Sequence, residues 1–221
     1  MNVLDILIKY YPAFLQGLKV TLEMSAIIWT LGIILGTALG VAASRFPKAV
    51  GMPTRLVSFL LAGVPILVFL FWLHYPAQAM MDVVIDPFYT ATFTFTILNI
   101  FGVADLVATA LNEFPKQYIT AARVTGLTAK QTILKIELPL IARAVTPALL
   151  MLQVTMLHVT LFSSLISVEE IFRVAQRINA QIYRPVEIYT ALGVFFLAVC
   201  VPVNMIALYL KTKFTRDTSE R

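Results

Sequence analysis

Residues 20–43 read VTLEMSAIIWTLGIILGTALGVAA. The only ionisable side chain in this run is Glu23, near its leading end. About 20 mostly apolar residues are enough to cross a bilayer as a helix, so the stretch is read as a membrane span. Gly32, Gly36 and Gly40 recur every four residues within it, and Ser44 follows one step on. That spacing stacks small side chains on one helix face, where a second helix can approach closely, and the stripe is read as helix packing. Four more segments have the same character: residues 56–80, 87–111, 144–166 and 188–210. The segment 87–111, third of the five, is the most polar, with Thr90, Thr92, Thr94, Thr96 and Asn99. The fold expected is all-α: a polytopic membrane protein of about five transmembrane helices, one domain over residues 1–221.

Composition agrees. Hydrophobic residues make up 59 % of the chain and charged ones 13 %, against roughly 45–50 % and 25 % in soluble domains. The mean hydropathy is +0.85. A net charge of +5 would suggest nucleic acid in a soluble protein; here its location in loops is what informs. Cys200 is the one cysteine, so no internal disulfide forms, and its apolar surroundings make it a packing residue. The first eleven residues carry Asp5 and Lys9 and lack the ordered basic, apolar and cleavage regions of a signal peptide. The segment is expected to stay on the mature protein.

Basic residues set the orientation. Arg45, Lys48 and Arg55 follow the first span; Lys116, Arg123, Lys130, Lys135 and Arg143 follow the third; Lys211, Lys213, Arg216 and Arg221 follow the fifth. Together these are twelve of the seventeen Lys and Arg. Lys9, Lys19, Arg173, Arg177 and Arg184 fall on the other side. The positive-inside rule then puts the N-terminus outside and the C-terminus in the cytoplasm, as an odd number of spans requires.

The loop over residues 112–139 parses as structure of its own. Pro115 suits a first helical turn, Gly126 sits where a helix ends in a left-handed residue, and Thr128 with Gln131 forms a capping box. A second short helix follows, with Pro139 opening the next element. In a soluble protein a short helix, a turn and a helix would also suit DNA binding; a unit strung between membrane spans argues against that reading, and no nucleic acid partner is expected. A loop of this length with its own caps is expected to have a task.

Its residues carry a resemblance. Thr120-Ala121-Ala122 is followed after three residues by Gly126, and after nine more by Ile136-Glu137-Leu138-Pro139. This resembles the cytoplasmic signature of bacterial ABC importer permeases, which is Glu-Ala-Ala, three residues, Gly, nine residues, then Ile-x-Leu-Pro. Further stretches resemble the polar amino acid subfamily, of histidine, glutamine and arginine type: Gly63-Val64-Pro65, Pro115-Lys116-Gln117, Ala175-Gln176-Arg177-Ile178 and Arg184-Pro185-Val186-Glu187-Ile188-Tyr189. The likeness covers roughly residues 12–213. It implies a coupling helix at Thr120, Ala121, Ala122, Gly126, Ile136, Leu138 and Pro139 that docks in a pair of ABC ATPase subunits. It also implies a solute-binding protein on the outside, a second permease (another copy or a homologue), and residence in the bacterial inner membrane. ATP belongs to the ATPase; this chain has no phosphate loop, is expected to bind no cofactor, and is not expected to be an enzyme by itself. The departures are Thr120 for the usual Glu, Ala62 and Ala108 for usual arginines, and His158-Val159 where the subfamily reads Lys-Asp. Asp105 keeps the acid that precedes the second arginine.

Polar residues inside spans are costly and tend to face a bundle interior or a water-filled path. Thr92, Thr96 and Asn99 share one helix face, and Thr155 and His158 lie one turn apart. These five are the candidate solute path. Back-bonding of the threonines to their own helix, a helix–helix hydrogen bond for Asn99 and a packing role for His158 stand beside that reading. No metal site or activated nucleophile is apparent. The amphipathic segment 167–185, with Val168, Ile171, Phe172, Ala175 and Ile178 near one face, suits either binding-protein contact or the membrane surface. The alternative for the whole chain is a secondary transporter or channel needing no ATPase, but the paired repeats of that class are not seen.

Overall fold

The computed structural model describes residues 2–219, with side chains through residue 213; Arg221, part of the tail's basic group, lies outside the described residues. All regular elements among the described residues are helical. Helix α1, Val3–Arg45, has 43 residues, about 65 Å at 1.5 Å per residue, twice the hydrocarbon thickness. It therefore begins well before the expected residue 20. Its leading half is held by tertiary packing: Tyr10, Ala13, Phe14 and Leu18 pack on a cluster of Ile6, Ile171, Val174, Ala175 and Ile178.

A wide π-type turn, Pro47–Gly51, leads into α2, Met52–Gly63. The expected second span is not one rod. Helix α2 stops at Val64, which is extended (φ −103°, ψ 125°), and α3 (Ile66–His74) starts after Pro65. Taken with the short α4, Pro76–Met80, the two halves bend by 97°. Proline disfavours helical conformation in the residue before it and supplies no N–H, so the break sits where Pro65 dictates. Among the described residues four helices are long and apolar enough to cross a membrane, or five if the bent pair counts as one span.

Helix α5, Pro87–Asn112, is capped by Asp86, whose carboxylate accepts from the Phe88 amide at 2.8 Å. It runs parallel to α1 and seats on the glycine stripe. A Cβ at Gly36 would lie 2.6 Å from the Val103 Cβ, and one at Gly40 2.7 Å from the Ala104 carbonyl. Ser44 closes the seam by donating to Asn112 Oδ1 at 2.8 Å. After the loop, α8 (Leu138–Val159) returns antiparallel, continues as a 3-10 turn over Thr160–Ile166 and ends at left-handed Ser167. Helix α9, Ile171–Ile182, packs on α1, and α10, Pro185–Ser219, packs mainly on α8.

Candidate coupling loop and solute face

The loop at the basic end is built from local signals. Helix α6, Lys116–Val124, starts after Pro115 and ends in a Schellman turn. The Leu127 amide donates to the Ala122 carbonyl at 3.0 Å and the Gly126 amide to the Arg123 carbonyl at 3.1 Å. That bond pair defines the motif and calls for a left-handed residue at its centre; Gly126 has φ +79°. Thr128 then caps α7, Ala129–Thr132, by accepting from the Gln131 amide at 3.3 Å, and the Gln131 side chain accepts from the Thr128 amide at 2.9 Å. The chain does not pause before Pro139. A π-turn over Ile133–Glu137, closed by the Leu138 amide on the Ile133 carbonyl, joins α7 to α8. The wider turn lets the helix continue past a residue with no N–H. The same device, a π-turn followed by X-Pro, occurs at Pro47–Gly51 and Met52-Pro53.

Of the seven candidate coupling residues, Ala122 is buried, Ile136 and Pro139 are half-buried, and Thr120, Ala121, Gly126 and Leu138 are exposed. Thr120 spends its hydroxyl on the Lys116 carbonyl at 3.2 Å. The unit leaves apolar side chains uncovered: Val124 is 83 % exposed, and Ile133, Leu134 and Leu138 are also exposed. Apolar groups set among Lys116, Arg123, Lys130 and Lys135 suit a protein partner better than lipid.

The five path candidates do not share one surface. Thr92, Thr96 and Asn99 are buried on the side of α5 turned inward. The Thr92 hydroxyl donates to the Phe88 carbonyl at 2.7 Å, and that of Thr96 is buried with no partner. Asn99 ties three helices: its Nδ2 donates to the Ile28 carbonyl at 3.0 Å and to Gln153 Oε1 at 2.9 Å, while Gln153 Nε2 donates back to Asn99 Oδ1 at 3.2 Å. Thr155 and His158 instead face outward. Thr155 bonds its own helix at the Met151 carbonyl, 3.1 Å away. His158 Nε2 lies 3.2 Å from Cys200 Sγ, and its ring lies edge-on to Phe196.

These two continue a stripe along α8: Ala144, Ala148, Met151, Thr155 and His158, spaced four and three apart. At the basic end the stripe enters an open cavity of about 710 Å³ between α5 and α8, lined by Asp105, Thr109, Glu113, Tyr118, Ala144 and Ala148 among others. Asp105, Thr109 and Glu113 fall at i, i+4 and i+8, one face of α5, and all three are exposed. Asp105 makes no ion pair among the described residues. Sequence reasoning noted Asp105 only as a retained acid and missed the cavity, although the four-residue spacing of three polar groups was its signal. Among the described residues no group of His, Cys, Asp or Glu is arranged to hold a metal.

At the opposite end α9 turns Ile171, Val174, Ala175 and Ile178 against α1, so this face meets protein and not the membrane surface. Its exposed side carries Glu169, paired with Arg177 at 3.1 Å and Arg173 at 3.9 Å.

A bundle of apolar helices long enough to cross a membrane, with an open cavity holding Asp105 and Glu113 and a structured loop at one end, is the architecture to be placed among known proteins. Residues 30–216 match the model of the binding-protein-dependent transport system inner membrane component family, and the chain belongs to that family. It is 28 % identical to the glutamine transport system permease protein GlnP of Escherichia coli over 197 residues, 88 % of this chain and 90 % of that one. It is 27 % identical to the L-cystine transport system permease protein TcyB of Bacillus subtilis, covering 94 % and 89 %. The histidine/lysine/arginine/ornithine transport system permease protein HisQ of Salmonella typhimurium is 24 % identical, covering 91 % and 92 %. The fold is also that of a chain in the crystal structure of an amino acid ABC transporter with histidines, with a TM-score of 0.83 at 20 % identity, covering 96 % of this chain and 99 % of that one. A chain of the inward-facing MetNI methionine ABC transporter superposes with a TM-score of 0.73 at 17 % identity, covering 93 % and 98 %.

Proposed function

We propose that this chain is the permease subunit of an ATP-driven importer for amino acids or similar small polar solutes. The observation that carries the reading is the loop. Thr120, Ala121 and Ala122 sit in α6, left-handed Gly126 ends it, and Ile136, Leu138 and Pro139 follow the capped α7 in the π-turn and the start of α8, in a chain of a family of binding-protein-dependent transport components. The amino acid assignment is supported by the relatives, which carry glutamine, cystine or basic amino acids in their names.

In this account the basic end is cytoplasmic, the N-terminus is outside, and the exposed apolar groups of the loop seat in a pair of ATPase subunits that supply the ATP chemistry. A binding protein delivers solute at the α9 end. Solute follows the α8 stripe past His158 and Thr155 to the cavity at Asp105 and Thr109. An unpaired carboxylate at the edge of an apolar span needs a wet or charged partner, and a solute path supplies one. Thr92, Thr96 and Asn99 stand behind this face, and Asn99 ties α5 to α1 and α8. The stripe is open on one side, so a second permease, either another copy or a homologue, is required to enclose it.

Cross-linking tests the docking. Ala121→Cys in a Cys200→Ser background, paired with single cysteines in the cleft of the cognate ATPase, should form a specific disulfide in membranes. Cross-linking no greater than that of a control cysteine at the 82–86 turn would remove the loop's assigned role.

A further inference from the structure

Glu170 is the most deeply buried ionisable group among the described residues, 0 % exposed, and no part of the transport account uses it. It precedes α9 and caps it with both oxygens: Oε2 accepts from the Phe172 amide at 2.8 Å and Oε1 from the Arg173 amide at 2.7 Å. The remaining amide of that turn, from Ile171, donates across to Thr21 Oγ1 of α1 at 3.1 Å. Gly17 provides the notch beneath: a Cβ there would lie 2.8 Å from Val174 Cγ2 and 3.0 Å from Ile171 Cα. Glu170 thus sits where α9 docks on α1.

Among the described residues no cation answers this carboxylate. On α9 itself, Arg173 and Arg177 pair with Glu169 on the exposed face. Where α1 meets the start of α9 it offers Gly17 and Thr21; its nearest charges, Lys19 and Glu23, are exposed and pair with each other at 3.7 Å, and Lys9 lies over the Tyr10 ring. The 3-10 turn Thr160–Ile166 has no ionisable residue. At the start of α10 Arg184 pairs with Glu187, and His74 at the end of α3 is within hydrogen-bond distance of Gln78.

We infer that Glu170 is a proton-binding site that latches α9 to α1 at the end of the bundle opposite the coupling loop. Two backbone amides favour the charged form, and burial without a counter-charge disfavours it. Burial is the larger effect and raises the carboxyl from 4.5 to about 7 despite the two amides, with Glu169 adding to the rise. With α9 released, the group meets water and returns to its ordinary value. The docked state therefore binds the proton more tightly. Docking is strongest below pH 4.5, weakens as pH rises through about 7, and levels off above that. Between the two values undocking releases one proton, so its equilibrium constant rises by up to about tenfold per pH unit.

Hydrogen exchange on the full chain in nanodiscs reads this directly. The opening constant of α9 amides beyond the first turn, corrected for intrinsic exchange and referred to α5, should climb with that slope between pH 4.5 and 7. It should be flat in Glu170→Gln, which keeps an acceptor but cannot ionise, and should still climb in Glu169→Gln. The infrared carbonyl band of a protonated carboxylic acid should titrate with a midpoint near 7 and be missing from Glu170→Gln. A flat wild-type profile, an equal slope in Glu170→Gln, or a band titrating only in the ordinary carboxylate range would overturn the proposal. If the Gln variant does not fold, the wild-type slope and the Glu169→Gln control still decide.

Discussion

Gly126→Val isolates the turn that joins the two loop helices. Gly126 holds φ +79°, and a Cβ built there meets nothing within 4 Å. The added Cβ therefore meets no neighbour, and the cost reckoned here is that of the backbone conformation. Left-handed geometry costs an L-residue roughly 1–2 kcal/mol, and a β-branched residue lies at the unfavourable end. That corresponds to roughly a 5- to 30-fold loss in the population of the native turn. The Schellman bonds of Leu127 and Gly126 would be the first to go, and with them the angle between α6 and α7. The assay is co-purification of the ATPase together with solute taken up per ATP hydrolysed in proteoliposomes. Val is expected to lower one or both several-fold. Gly126→Asn is expected to fall between Val and wild type, because Asn tolerates the left-handed region. Wild-type binding and coupling in the Val variant, or equal damage from Asn and Val, would refute the reasoning.

Three further outcomes follow from the geometry. Asn99→Leu leaves the Ile28 carbonyl and Gln153 without their partner and should cost about 1–2 kcal/mol, the scale of interhelical hydrogen bonds in membranes; in detergent unfolding, the double variant Asn99→Leu/Gln153→Leu should be less destabilised than the sum of the two singles. Asp105→Asn should raise the half-saturating solute concentration of uptake about tenfold or more, the value of a charged hydrogen bond, with ATPase co-purification unchanged. A cysteine replacing Asp82 should react with an impermeant thiol reagent added outside intact cells, and one replacing Lys130 only after lysis; the reverse pattern would invert the topology.

Much of the candidate coupling loop was legible because its determinants are local. Gly126 and the Thr128–Gln131 box act within four residues and are found where their chemistry demands; Pro115 stands one position ahead of the first turn, as the extended N-cap of α6. The apolar spans were legible for the same reason. The leading half of α1 was not: Asp5, Lys9 and Pro12 interrupt its apolar run, and it is helical because Ile6 and Phe14 pack on α9, a contact about 160 residues away in sequence. The break in the second span was visible as Pro65 but was read only as part of a motif. The candidate solute face was the least legible part. Spacing groups Thr92, Thr96 and Asn99 on one side of a helix, and equally groups Asp105, Thr109 and Glu113; only packing tells which side lies against α1 and which lines a cavity.

The central claim is tested most directly by uptake into proteoliposomes holding this permease, its cognate ATPase, any second permease from the same system, and the binding protein. The account predicts accumulation of a labelled amino acid that requires internal ATP and external binding protein and disappears when the ATPase cannot hydrolyse ATP. Equal accumulation without ATPase, driven by an ion gradient alone, would contradict it.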